Sequence, residues 1–249
     1  MTLAIIPARY ASVRFPGKPL ADLAGQSLIQ RTYGRVAACP VVDEIIVATD
    51  DQRILDHVRA FGGRAELTRA DHPSGTDRVA EVAARYPAAE LVVNVQGDEP
   101  FVDPRQIAAV IEPFADAAVA IATLAHPIRE ERALLSPNVV KVVRAANGRA
   151  LYFSRHAVPF LRDVPVGQWI DRGRHLQHLG LYAYRAAVLP QLTALPPGRL
   201  EDDERLEQLR WLAAGYAIQV GLTDLPAIGI DTPEDLRRAV ARVENEGKS

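Results

Sequence analysis

Apolar and polar positions along the chain change period repeatedly, and each change marks an element. Leu3 to Ile6 is a short unbroken apolar run, the pattern of a strand covered on both faces. "EIIVATD" (Glu44 to Asp50) and "LVVNVQGD" (Leu91 to Asp98) repeat that pattern. Between and after them, "SLIQRTYGRVAA", "DQRILDHVRAFGG", "TDRVAEVAARY" and "PRQIAAVIEPF" space their apolar residues helically, as at Val79, Val82, Ala83 and Tyr86. Strand and helix patterns in alternation predict βαβ units and a mainly parallel sheet over about residues 1–120.

From about 120 to 230 the pattern changes. "VAIATLAHPI", "NVVKVVRA", "ALYFSR" and "HLGLYAYR" follow one another with little helix between them, which leaves no room for crossovers and predicts a mixed sheet or β-rich flap. "LEDDERLEQLRWLAAGY" reads as a helix with Leu206, Leu209, Ala213 and Tyr216 on one face, and Glu207 and Gln208 beside that stripe, where exposure is expected. "AIQVGL" and "AIGID" precede a closing helix, "TPEDLRRAVARVENEG". With no repeat and no low-complexity linker, residues 1–249 are expected to form one α/β domain.

Composition narrows the function. Lys plus Arg is 29 and Asp plus Glu is 31, a formal charge of -2, so no general attraction to nucleic acid or membrane is expected. Cys39 is the only cysteine; it is read as core filler, and no disulfide within the chain is possible. The Leu3 to Ile6 run is too short for a signal-peptide core or a membrane span, so the protein is expected to be cytoplasmic. His57, His72, His126 and His175 show no metal-ligand spacing.

Charge specialisation is local. Directly after the first strand, "PARYASVRFPGKPL" carries Arg9, Arg14 and Lys18 among Pro16, Gly17 and Pro19. Ligands of open parallel sheets sit beyond the strands' carboxyl ends, and a stiff cationic loop there suits a polyphosphate. GxGxxG and GxxxxGK[ST] are both missing, so guanidinium and ammonium groups must supply much of the countercharge.

Acidic residues complement this loop. Asp103 before Pro104, and Thr232 before Pro233 with Asp235 beyond, read as helix caps. That leaves Asp98 and Asp231 uncommitted, each at the expected end of a strand. Two such carboxylates facing a cationic loop suit Mg²⁺, which takes one or two carboxylates plus phosphate oxygens. In "DHPSGTDRVAE", Thr76 reads as a helix cap, and Ser74, Gly75 and Thr76 could also meet a base or ribose.

The segments "IPARYASVRFPGKPL", "DHPSGTDRVAE", "NVQGDEP", "NVVKVV", "ALYFSR", "HLGLYAY", "LEQLR" and "DTPEDL" occur together and in this order. The set closely resembles the 3-deoxy-D-manno-octulosonate (Kdo) cytidylyltransferases, or CMP-Kdo synthetases, over nearly the whole chain. The resemblance implies a nucleotide-diphospho-sugar transferase fold, Rossmann-like with helices on both faces of a mixed, mainly parallel sheet, and a β-rich second half used for sugar binding and dimerisation. It implies CTP and Kdo as substrates, Mg²⁺ as cofactor, a homodimer, and a place in lipopolysaccharide biosynthesis.

By motif, Arg9, Arg14 and Lys18 would hold the triphosphate, with Ser74, Gly75, Thr76 and Gln96 around the cytidine. Asp98 and Asp231 would bind the metal, and Arg78, Arg155, His178, Tyr182, Glu207 and Gln208 would surround the sugar acid. Arg14, Lys18, Asp98 and Asp231 would carry the chemistry, with no general base assigned. His156 stands where many members carry a small residue, which would alter the wall of the sugar pocket. A transferase for another sugar acid, of the sialic or legionaminic type, and a non-catalytic nucleotide-binding regulator of the same fold are the alternatives.

Overall fold

The computed structural model of the chain describes residues 1–11, 15–226 and 228–246. It divides into two compact units, Met1–Ala108 with Ala227–Ser249, and Ala109–Pro226.

In the first unit, strands β1 (Thr2–Ala8), β2 (Glu44–Thr49), β3 (Ala65–Leu67) and β4 (Leu91–Asn94) lie in the order β4-β1-β2-β3, every pair parallel. Parallel neighbours need crossovers, which α1 (Leu28–Ala37), α2 (Gln52–Ala60) and α3 (Gly75–Ala83) supply. Leu3, Ala4, Ile5 and Ile6 are each 0% exposed, as the unbroken apolar run requires of a central strand. Ala8 pairs in register with Thr49, so Arg9 and Asp50 leave the sheet along one edge. Cys39 is buried and unpaired, as core filler should be.

Side-chain caps set where these helices begin. Ser27, Asp51 and Ser74 accept from the backbones of Gln30 (3.2 Å), Arg53 (2.9 Å) and Asp77 (3.1 Å). The expected cap at Thr76 is therefore corrected to Ser74, because the oxygen three residues before the Asp77 N–H is the one with the reach. Thr76 lies buried in the first turn. At α4 (Pro104–Ile111), Asp103 caps as expected: its carboxylate accepts from Arg105 N (2.9 Å), and Gln106 Oε1 accepts from Asp103 N (3.0 Å).

The second unit holds β5 (Ile121–Pro127), β6 (Lys141–Arg144), β7 (Ala150–Ser154), β8 (Leu176–Arg185) and β9 (Ile218–Leu222). Their order is β9-β5-β8-β6-β7, with only β9 and β5 parallel, the mixed sheet that scarce crossovers predicted. Its helices are α5 (Glu131–Leu135), α6 (Leu189–Thr193), α7 (Arg199–Glu204) and α8 (Gln208–Ala213).

The single helix expected from "LEDDERLEQLRWLAAGY" is thus two. Arg205 takes a left-handed conformation (φ 52°) and ends α7. The break turns the buried face to Gln208, Leu209 and Trp211, and leaves Ala213 exposed. Gln208, expected at the surface, is 6% exposed.

The last helix, α9 (Pro233–Glu246), belongs to the first unit. Thr232 and Asp235 exchange backbone N–H bonds (2.9 and 3.2 Å), a capping box. Ile230 and Ala239 pack with Leu23 and Leu28 in a buried cluster completed by Phe15, Phe101 and Leu236. The expected strand before Asp231 is not formed at Ile228–Ile230. One backbone bond, Ile230 N to Asp98 O (2.9 Å), replaces a ladder there.

Candidate active site

The carboxyl ends of β1 and β4 open on a cleft of about 290 Å³ in the first unit, lined by Arg9, Lys18, Gly75, Gln96 and Asp98 among others. Each element delivers one part. After β1 the chain closes a loop with Gly17 N donating to Tyr10 O (2.9 Å). Gly17 sits at φ 72° with the Tyr10 ring where a Cβ would be, at 3.2 Å, so a side chain there would be strained twice over. The same ring stacks under the Arg53 guanidinium, 3.3 Å from its centroid. Lys18 follows Gly17 and points its ammonium at two carboxylates.

Those carboxylates are the two singled out from the sequence. Lys18 Nζ donates to Asp98 Oδ2 at 2.5 Å and to Asp231 Oδ1 at 3.4 Å. Lys18 is largely enclosed, whereas the Asp98 and Asp231 side chains are 32% and 51% exposed. Asp98 rides on the turn after β4, whose Gly97 passes so close to β1 that a Cβ would meet the Pro7 carbonyl oxygen at 2.9 Å. Glu99, beside it, is pushed up to about 8 by burial and then by the Asp98 charge. Among the described residues, no three His, Cys, Asp or Glu side chains converge as a metal cluster.

Arg9 lies on the cleft wall, with its guanidinium anchored: Nη2 donates to the carbonyls of His72 (2.6 Å) and Ser74 (3.1 Å). Gln96 donates to Asn94 Oδ1 (3.2 Å). Of the cytidine-side residues, Gly75 and Gln96 line the cleft, whereas Ser74 is committed to the cap and Thr76 is buried. Arg14 lies outside the described residues.

Arg78 is enclosed in the first unit. It is 0% exposed, paired with Asp50 (3.3 Å) and bonded to the Thr68 hydroxyl. Burial lowers its pKa against the opposing effect of Asp50.

The other sugar-side residues all belong to the second unit. His178 and Tyr182 lie on β8, four positions apart. In a regular strand that separation is about 13 Å, yet their ring centroids are 5.4 Å apart. An irregularity in the β8–β5 register explains the difference: Leu179 pairs with Leu124 and Tyr182 with Thr123. Two residues of β8 are thereby absorbed without advancing along β5. The buried Thr123 hydroxyl is shared between the carbonyls of Leu179 (3.0 Å) and Leu181 (2.9 Å).

Around this bulge an aromatic wall forms. Phe153 meets the His178 ring edge-on at 4.9 Å, and Trp211 does the same to Tyr182 at 5.5 Å. Burial pushes the His178 imidazole down to about 3, so it is neutral at physiological pH. The Tyr182 phenol is pushed up, first by burial and then by the Glu207 charge. His178 Nε2 and Gln208 Nε2 are buried with no hydrogen-bond partner among the described residues, which marks them as groups suited to a polar ligand.

Arg155 spends three of its five N–H groups on carbonyls, those of Pro137 (2.9 Å), Glu204 (2.6 Å) and Arg205 (3.3 Å). The bulge, Trp211 and Phe153 went unread in the sequence. Gly180 within "HLGLYAY" is the one local signal of an irregular strand.

Comparison with known proteins places these geometries in context. Residues 3–219 match a family model described as cytidylyltransferase. The chain is 49% identical over 98% of both chains to the 3-deoxy-manno-octulosonate cytidylyltransferase of Parabacteroides distasonis. Against the enzyme of that name from Geobacter sulfurreducens it is 50% identical, over 97% of this chain and 98% of the other. A solved structure of CMP:2-keto-3-deoxy-manno-octonic acid synthetase complexed with CTP superposes with a TM-score of 0.91 at 41% identity, covering 98% of this chain and 99% of that one.

Proposed function

The chain belongs to the cytidylyltransferase family, and on that premise we propose that it transfers CMP from CTP to Kdo, releasing pyrophosphate. The observation that carries this reading is about 50% identity, over nearly the full length of both chains, to enzymes named for that reaction. Lys18, Asp98 and Asp231 gathered at the cleft supply a chemical basis for it.

In the reaction, the anomeric C2 hydroxyl of Kdo attacks the α-phosphorus of CTP. A new P–O bond forms as the bond to the pyrophosphate oxygen breaks, and the hydroxyl's proton is released to solvent. Both reactants are anionic, so much of the barrier is electrostatic. Lys18 places an ammonium in the cleft, where it can take up charge on the departing pyrophosphate. Arg9 is held by two carbonyls, so in this reading its charge is organised before the nucleotide binds. Arg14 completes the cationic loop in this reading.

Asp98 and Asp231 fit Mg²⁺: they are hard, partly exposed carboxylates, both within reach of one ammonium, beside a cleft suited to phosphate oxygens. Bound there, the ion would neutralise and orient the reacting phosphate. Gly75 and Gln96 on the cleft wall, with Ser74 and Thr76 next to it, would face the cytidine.

On the sugar side, neutral His178 and the Gln208 amide offer buried donors and acceptors for hydroxyl groups. Tyr182 and Glu207 flank them, and the two uncommitted N–H groups of Arg155 would meet the carboxylate. Arg78, which the resemblance also puts on the sugar side, enters as a buried support held by Asp50 and Thr68. The reading places the protein in lipopolysaccharide biosynthesis in the cytoplasm, as a homodimer through the second unit, where Leu151 and Phe160 are 62% and 72% exposed.

Pyrophosphate release measured with CTP, Mg²⁺ and a panel of sugar acids tests the activity. Turnover is expected with Kdo, and EDTA should abolish it. Preference for a nine-carbon acid, equal use of ATP, or no turnover at all would overturn the assignment. Sedimentation at micromolar concentration should give twice the 27.2 kDa chain mass, and a monomer would remove the homodimer from it.

A further inference from the structure

Lys141 is fully buried, which a charged side chain rarely is without strong partners. Among the described residues no carboxylate forms an ion pair with it, Glu204 acting on it only from a distance. Its ammonium instead donates to three backbone carbonyls, those of Ser136 (2.9 Å), Val139 (2.7 Å) and Arg155, which uses all three of its donors. An apolar side chain could fill the same space. Lysine does something an apolar side chain does not: it draws three carbonyls from two chain segments onto one point.

A second junction lies beside it. The Glu204 carboxylate accepts from the Ser154 hydroxyl (2.6 Å) and from Arg155 N (2.8 Å), while the Arg155 guanidinium donates to the carbonyls of Glu204 and Arg205 and to Pro137 O. Lys141, Arg155 and Glu204 thus tie together the turn before β6, the end of β7 and the end of α7. The point they hold is strained: Arg205 is a non-glycine residue at φ 52°, a left-handed conformation that persists only where the surrounding structure enforces it. Both carbonyls flanking that residue's backbone turn are held by Arg155.

What this junction sets is the direction of the chain into Glu207 and Gln208, which follow Arg205 by two and three residues. It also sets β8: Lys141 pairs in register with Gln177, and His178 N donates to Val140 O at 2.9 Å. The groups suited to the sugar acid are therefore supported from these two adjoining junctions, of which Lys141 is the fully buried part.

We propose that Lys141 and Glu204 are positioning residues for the acceptor sugar, acting through Arg155, the Arg205 turn and the start of β8. This rests on the reading above that His178, Glu207 and Gln208 receive Kdo. Binding of the nucleotide, assigned to the first unit, should be indifferent to them.

The test is steady-state kinetics on full-length Glu204→Gln and Lys141→Met, with CTP and Kdo varied in turn and folding checked by circular dichroism. Glu204→Gln keeps the size and one acceptor oxygen, so it remains informative if Lys141→Met does not fold. The expected result is a KM for Kdo raised ~10-fold or more, as small misplacements of binding groups produce, with the KM for CTP changed less than about twofold, within the same reasoning. An unchanged KM for Kdo in folded Glu204→Gln, or equal rises in both KM values, would overturn the proposal.

Gln208→Ala, measured in parallel, separates the two levels of inference. If it raises the KM for Kdo while Glu204→Gln does not, the positioning role alone is lost. If Gln208→Ala also leaves that KM unchanged, the sugar-side reading falls and the positioning role with it.

Discussion

One ammonium answers two carboxylates at the cleft, and the residues involved come from three distant parts of the chain: Lys18, Asp98 and Asp231. Being partly exposed, these ion pairs contribute little to folding, of the order of 0–1 kcal/mol each, so their presence is better explained by chemistry than by stability. Asp98→Asn and Asp231→Asn preserve size and remove a hard anionic ligand. Each is expected to lower kcat/KM for CTP by ~100-fold or more, because loss of even outer-shell support to a metal commonly costs 10–100-fold. Unfolding midpoints should stay near that of the parent protein. The check is pyrophosphate release across a Mg²⁺ titration beside urea denaturation; parent-like turnover in either variant would remove that carboxylate from the proposed metal site. Arg155 is a related case: the resemblance puts it beside the sugar acid, while three of its five N–H groups are committed to backbone carbonyls.

At the scale of the element, what was legible was local. Leu3 to Ile6 announced a covered strand because both faces are packed, and the caps at Asp103 and Thr232 could be read because a cap and its partner are three residues apart. Ser74 was missed for a similarly local reason: "SGT" offers two hydroxyls, and only the helix start decides between them. The break at Arg205 and the β8 bulge were not legible, because each is held by residues distant in sequence: Arg155 in one case, Thr123 in the other. The bulge yields a direct prediction. Thr123→Val keeps the shape but removes the hydroxyl that serves two buried carbonyls, so it should lower stability by about 1–3 kcal/mol. It should also raise the KM for Kdo, since the bulge is what brings the His178 and Tyr182 rings to 5.4 Å. Denaturation and kinetics on one preparation check both; a loss of stability with no change in that KM would make the bulge purely structural.

Over the whole molecule, the order of strand and helix patterns conveyed a parallel first half and a mixed second half, but not where the chain divides. The return of the C-terminal segment to the first unit depends on apolar residues of α9 finding a partner surface at Leu23 and Leu28, which no local period reveals. That return matters for function because it brings Asp231 within reach of Lys18. The segment before Asp231 has no ladder, so its position rests on the Ile230 N to Asp98 O bond and on the Ile230 side chain, 1% exposed among Leu23, Leu28 and Ala239. Ile230→Ala should therefore act twice. Emptying that site is expected to destabilise the protein by about 2–5 kcal/mol, as other buried Ile→Ala changes do. Under conditions where the variant stays folded, loosening of the segment should raise the Mg²⁺ concentration needed for half-maximal activity, with the KM for Kdo unaltered because that side chain lies in a first-unit cluster next to Asp231, one of the two carboxylates proposed for the metal. Urea denaturation followed by circular dichroism measures the first effect and a Mg²⁺ titration of pyrophosphate release the second. A destabilised variant with parent-like Mg²⁺ dependence would mean that Asp231 is positioned by its own helix cap rather than by the packing of Ile230.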